Sequence, residues 1–442
     1  MLRTKKTLVG GLVAAMLLVG CSTGAQPGGQ PGGEVSKASG EFAASAWAVQ
    51  SSQSDSYEAA VERWNAEHPD EKIDIQVMPN NGYKDKIRVA IGAGQAPTLV
   101  FGWGGGGLRD YVEQGLVDSI SELSQDEYPQ LVDRYLPGAL SAAVVDDDVY
   151  GLPINNMQPA VFLGNKDVFD KLGVEPPATW DDLLELVKKA KAEGVSAFAL
   201  AGQSKWPQLP WLAYLVDRIG GPEVFNAIEN NEPDAWSNPA VLEAAKMIQE
   251  LVEAGAFVED YAAISYESGA AEALVFTGKA GALLMPSTAY SNIAASAPEF
   301  VEQGKLIYFE FPAIEGGKGD PGNLSGNPSN LWSVSSKATE DEKDVALRFL
   351  DEQVMNDEYQ EEILGRSGVP GVKAAEEKVN SGDDEFSKFI FNIVGEADDF
   401  QLSLDQALSP AQGEALNTTL DQLFLLEITP EEFVETMNAT IE

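Results

Sequence analysis

The chain has 442 residues, 44% of them hydrophobic, and sets 70 Asp and Glu against 29 Lys and Arg, a formal net charge of −41. A surface that acidic repels phosphates, which sets nucleic acid aside as a partner. One histidine, His68, and one cysteine, Cys21, exclude a Ser-His-Asp triad built on any other histidine, leave most zinc sites without ligands and allow no internal disulfide.

Arg3, Lys5 and Lys6 precede an apolar run over residues 8–19. That is the layout of a secretory signal, and the run falls short of the roughly 20 apolar residues of a bilayer span. Leu18-Val19-Gly20-Cys21 resembles the bacterial lipobox, which implies that residues 1–20 are removed and that Cys21 carries a diacylglycerol. Residues 21–41, rich in Gly, Pro, Ser and Gln, read as a flexible tether that lifts a folded body off the membrane. The expected location is the extracellular face of the cytoplasmic membrane.

Residues 42–49 predict a short apolar strand. Tyr57, Ala60, Val61 and Trp64 fall on one face of a helix over 57–67, and His68, before Pro69, reads as its C-terminal cap rather than a catalyst. Ile73-Asp74-Ile75-Gln76-Val77 alternates as a strand does. A helix over 83–91, an apolar strand over 98–101 and a helix over 108–114 follow. Gly104 to Gly107 lack the Lys-Ser/Thr of a phosphate loop and read as a close approach of backbone to a helix or a ligand.

Further on, Thr179 and Asp182 frame the start of an amphipathic helix over 181–192. A strand over 197–200, helices over 239–254 and 271–277, and strands over 281–285 and 331–334 come next. A helix over 340–354 and a mostly helical stretch over 386–442 complete the chain. This alternation argues for an α/β architecture with parallel sheets covered by helices on both faces. The acidic clusters 146–148 and 340–342 read as solvated turns or helix starts. No D-x-D-x-D-G loop supports calcium, and no metal or cofactor is implied.

Five segments in order resemble one family. They are "AIGAGQAPTLVF" (90–101), "WGGGGLRDYVEQGL" (103–116), "GLPINNMQPAVFLGNK" (151–166), "FTGKAGALLMPSTAYSNI" (276–293) and "NPSNLWSVSSK" (327–337). Thr98 stands where the family usually has Asp, and Leu163-Gly164-Asn165-Lys166 varies its Tyr-Asn-Lys ending. The resemblance is to the extracellular solute-binding proteins of ATP-binding-cassette sugar importers, the maltose-binding-protein-like group, and among them to actinobacterial oligosaccharide-binding lipoproteins. It covers the chain from about residue 42.

The resemblance implies a type II periplasmic-binding-protein-like fold of two discontinuous α/β lobes, expected at 42–154 with 287–330 and at 158–284 with 334–442. A multi-strand hinge joins them and a ligand lies in the cleft. The implied protein is a monomeric, non-catalytic receptor for a neutral oligosaccharide, with xylo-oligosaccharide as the expected ligand, which docks on the importer's transmembrane subunits. Aromatic faces cover the C–H side of a sugar and amides satisfy its hydroxyls. The ligand-binding residues expected by region are Trp103, Asn155, Asn156, Gln203, Trp206, Trp211, Ser287, Tyr290, Asn330 and Trp332; Trp64 and Trp180 are expected in the core. Two alternatives stay open: a lipid-anchored carbohydrase using two carboxylates, and the same fold binding a peptide or a polyamine.

Overall fold

The computed structural model describes residues 41–51 and 53–441; the expected signal, Cys21 and the tether up to residue 40 lie outside the described residues. The first part of the chain supplies β1 (Ala44–Val49), β2 (Ile73–Met78), β3 (Leu99–Gly102), β4 (Val117–Asp118), β5 (Val144–Val145), β6 (Asp148–Val149) and β7 (Leu152–Pro153). The remainder supplies β8 (Gln158–Asn165), β9 (Ser196–Ala199), β10 (Ala280–Pro286), β11 (Leu306–Phe309), β12 (Leu324–Asn327), β13 (Leu331–Ser335) and β14 (Phe400–Leu402). Two six-stranded sheets form. One runs β2-β1-β3-β13-β4 with β7 also on β13; the other runs β14-β12-β8-β10-β9 with β11 also on β8.

Local chemistry sets many of these elements. β1 is buried along its whole length because β2 and β3 flank it, whereas the alternating β2 is an edge strand that keeps polar residues half-exposed. α1 (Ser54–Glu67) buries Tyr57, Ala60, Val61 and Trp64 and ends at His68, whose ring stacks on Trp64 at 3.8 Å. α2 (Asn80–Gly92) and α3 (Gly105–Glu113) follow β2 and β3. Helix Trp180–Ala192 starts with the Thr179–Asp182 capping box, and helix Glu340–Glu352 starts with an equivalent box of Thr339 and Glu342. Asp146 and Asp147 make the turn between β5 and β6 with positive φ, a conformation their short side chains tolerate.

Two expectations are corrected. The sheets are mixed, not parallel: β13 runs antiparallel to β3, β4 and β7, and β8 runs antiparallel to β10, β11 and β12. Residues 287–330 do not return to the first lobe. β11 and β12 pair with β8 and stay in the second, while β13 pairs with β3 and carries helix Glu340–Glu352 against β1. Residues 334–442 therefore divide between the lobes instead of all joining the second. The chain crosses at 154–157 and at 328–330, and it returns to the second lobe through the segment 365–372, which lies against the first crossing through an Asn156–Pro370 bridge.

The first lobe packs Trp332 between Tyr57 and Phe349. The second centres on Phe162, ringed by Phe198, Trp211, Phe309 and Phe311. A buried ion pair ties its layers: Arg218 Nη1 donates to Asp217 Oδ2 at 2.6 Å, and Arg218 Nη2 donates to the carbonyls of Pro321 and Asn323. Asn323 and Gln401 donate to the other Asp217 oxygen. Burial pushes the Asp217 carboxyl up, against the pull of Arg218.

Candidate functional site

The first two crossings form the floor of a cleft between the lobes. Asn330 Oδ1 accepts from Asn155 Nδ2 at 2.9 Å and from Gln158 Nε2 at 3.0 Å. The Ser329 hydroxyl lies between the same two crossings, donating to the Asn155 carbonyl at 3.0 Å. Amides already held by one another lose little further entropy when a ligand arrives, so this floor is pre-organised.

Above it lies a cleft of about 960 Å³. On the first-lobe side stand Ser51, Asp55, Asn80, Lys84 and Trp103, and on the second-lobe side Trp206, Tyr266, Glu272, Asn292 and Asp405. Trp103 follows the last residue of β3, at the strand-end edge where ligands of open α/β sheets bind. Gly104, at φ +83°, turns the chain away behind it. Phe101 and Tyr83 hold the indole edge-on at 5.2 and 6.0 Å, and the Lys84 ammonium lies 4.9 Å over the ring. Opposite, Trp206 meets Tyr266 edge-to-face at 4.8 Å. The Tyr266 hydroxyl is pushed up to about 12, by burial first and then by the charge of Glu272.

Beside the cleft the lobes touch. A Cβ on Gly105 would stand 2.4 Å from the Gln406 carbonyl oxygen, and one on Gly106 would stand 2.1 Å from that of Leu408. Arg109 on α3 lies 3.6 Å from Glu229 of the other lobe. The close backbone approach expected of this glycine run is thus a contact between lobes.

The structure brings four of the expected residues to the cleft: Trp103, Asn155, Trp206 and Asn330. The others lie elsewhere. Trp211 is wholly buried against Phe162, Phe198 and Phe257, in helix Leu209–Gly220, whose residues from Leu209 to Arg218 are all buried. Trp332 is also wholly buried, its Nε1 donating to the Trp47 carbonyl at 2.9 Å. Tyr290 stacks on Phe386 at 3.8 Å, and burial, then Asp384, pushes its hydroxyl up to about 12. Ser287 is buried and donates to the Met157 carbonyl. Asn156 is buried behind the floor with its Nδ2 on that same carbonyl, and Gln203 is exposed outside the cleft lining.

Sequence reasoning missed Gln158, Tyr266 and Glu272. Gln158 opens the apolar strand β8, and Glu272 sits within Ala-Ala-Glu-Ala-Leu-Val-Phe. A lone polar residue inside an apolar run was the available signal, since burying one is costly. Among the described residues there is no group of three or more His, Cys, Asp or Glu placed to hold a metal, and no helix long and apolar enough to cross a membrane.

Two α/β lobes joined by crossing segments, with an aromatic and amide-lined cleft between them, define a two-lobed solute receptor of the type II architecture. The chain belongs to the bacterial extracellular solute-binding protein family, whose profile matches residues 50–353. A solved structure reported with xylan utilization by the thermophile Caldanaerobius polysaccharolyticus is similar with a TM-score of 0.80 and 29% identity, covering 90% of this chain and all of that one. A chitin oligosaccharide binding protein gives 0.79 and 25%, covering 89% of this chain and 97% of that one. The diacetylchitobiose binding protein NgcE of Streptomyces coelicolor is 26% identical over 220 residues, 49% of this chain and 46% of the relative. The chain spans little more than half the length of the first curated relatives it matches, 57% for one from Brucella abortus.

Proposed function

We propose that this protein is the receptor of an ATP-binding-cassette importer and captures a neutral oligosaccharide, with xylo-oligosaccharides as the leading candidates. The observation that carries this reading is the facing pair of aromatic platforms, Trp103 on one lobe and Trp206 with Tyr266 on the other, above a floor of amides. Pyranose rings offer a C–H face to each indole, and their hydroxyls reach the amides. A cleft of about 960 Å³ is at the upper end for small-molecule sites, which suits several sugar units rather than one.

A ligand touching both lobes binds their approached arrangement best and shifts the population towards it. The importer then meets a shape that signals cargo. Capture needs no bond chemistry, so on this reading the protein acts as a carrier rather than a carbohydrase. A diacylglycerol on Cys21 would keep it near its importer, and Cys21→Ser should release it into the medium.

A thermal-shift screen across xylo-, cello-, chito- and malto-oligosaccharides tests the reading. Ligand at 100 times its dissociation constant adds about 2.7 kcal/mol to stability. No shift with any sugar would remove the proposal. A shift with spermidine alone would favour the polyamine alternative, for which Asp55, Glu267, Glu272 and Asp405 along the cleft are the motive.

A further inference from the structure

Three residues lining the cleft carry a buried polar atom with no hydrogen-bond partner among the described residues: Asn80 Oδ1, Glu272 Oε2 and Asn327 Oδ1. All three atoms are acceptors, one from each lobe and one from the edge of the floor. An amide can be turned end for end to offer its donor instead. A carboxyl in its ionised form only accepts, so Glu272 is the informative member.

Glu272 stands in the first turn of helix Ala270–Phe276 and is 4% exposed. Burial pushes its carboxyl up. Asn292 and the residue's own backbone N–H act the other way. Asn292 also faces the Tyr266 hydroxyl, and the Tyr266 ring supports Trp206. One wall of the cleft therefore gathers a carboxyl, an amide and a phenol around one indole. A buried acceptor without a donor carries the full cost of its lost hydration. The free N–H groups of the first turn, its own included, favour a carboxylate here, yet they leave Oε2 without a donor.

We infer that Glu272 is a specificity-determining ligand residue, accepting a hydrogen bond from an O–H or N–H of a sugar seated against Trp206 and Tyr266. The inference rests on the receptor reading and sharpens it: the second-lobe wall selects ligands rich in donors and rejects anionic sugars at that subsite. The rival role is purely structural, with Glu272 doing no more than holding Asn292 and Tyr266 in place. The two differ in the free protein. A ligand-satisfied carboxyl destabilises the empty receptor, whereas a structural one stabilises it.

The test uses wild type, Glu272→Gln and Glu272→Leu in full-length mature protein. Calorimetric titration with xylotetraose and with N,N′-diacetylchitobiose gives affinity, and thermal melting without ligand gives stability. Glu272→Leu should bind the sugar that wild type binds roughly 10- to 150-fold more weakly, with a melting temperature equal to or above wild type. Glu272→Gln should lose less affinity, because its amide oxygen still accepts. If Glu272→Leu melts much lower, Glu272→Gln, matched in shape, decides alone. Unchanged affinity in both variants overturns the assignment while leaving the receptor reading intact. Weaker binding accompanied by a lower melting temperature in both assigns the structural role and overturns it as well. Failure of wild type to bind either probe removes the sugar reading for both classes, and this assignment with it.

Discussion

Gly106→Ala isolates the contact between the lobes. Gly106 lies inside α3 with an ordinary helical backbone, so alanine there should favour the helix by about 1 kcal/mol. Its Cβ, however, would stand 2.1 Å from the Leu408 carbonyl oxygen and 2.8 Å from that of Ala407. Both belong to backbone of the other lobe, which cannot rotate aside as a side chain could, so the lobes must part locally. Overpacking of this kind costs about 1–3 kcal/mol, and only the arrangement in which the lobes touch bears it. With each 1.4 kcal/mol worth tenfold in affinity, the variant should bind its sugar roughly 5- to 150-fold more weakly. Its melting temperature without ligand should be unchanged or higher. Calorimetric titration and melting check the two numbers, and small-angle scattering of the liganded protein should give a larger radius of gyration than wild type. Wild-type affinity with a wild-type radius would refute the view that this contact belongs to the ligand-holding arrangement.

Other expectations separate site from core. Trp103→Ala should weaken sugar binding by about 2 kcal/mol, roughly 30-fold, while leaving thermal stability nearly untouched. Trp332→Ala should do the reverse, costing about 3–5 kcal/mol in urea denaturation, because its ring fills the space between Tyr57 and Phe349. Arg218→Met should cost about 3–5 kcal/mol by the same assay, since it leaves Asp217 buried without its cation. The stability gained by Glu272→Gln should depend on pH. The Glu272 carboxyl is raised above its usual 4.5 in the folded protein, so the wild-type fold favours the protonated form and loses stability as pH rises through that raised value. The advantage of the Gln variant in melting temperature should therefore be present at pH 7 and shrink as the pH falls towards 4.5; an advantage that does not change with pH would refute the assignment of cause.

Much of the secondary structure was legible because its signals are local. Alternation in β2, the 3–4 spacing in α1, the Thr179–Asp182 box and the turn-forming Asp146 and Asp147 each act within a few residues. Which lobe a segment joins is decided by pairing at long range. Nothing inside residues 306–309 or 324–327 says that they meet β8, so 287–330 was expected in the wrong lobe. The site was half legible for a similar reason. Trp103 was found from its place at a strand end, and Asn155 and Asn330 from the crossing segments that the family resemblance implies. Trp211 was misplaced because its position after a strand outweighed the apolar run from Leu209 to Val216, which marks a helix buried on all sides. Glu272 was missed because its meaning depends on Asn292 and Tyr266, which only the fold brings near it.

Calorimetric titration of the mature protein with xylo-oligosaccharides of two to five units tests the central claim most directly. At least one of them should bind one-to-one, and Trp103→Ala should abolish or strongly weaken that binding. Binding of no sugar, or sugar binding that Trp103→Ala leaves intact, would contradict that claim.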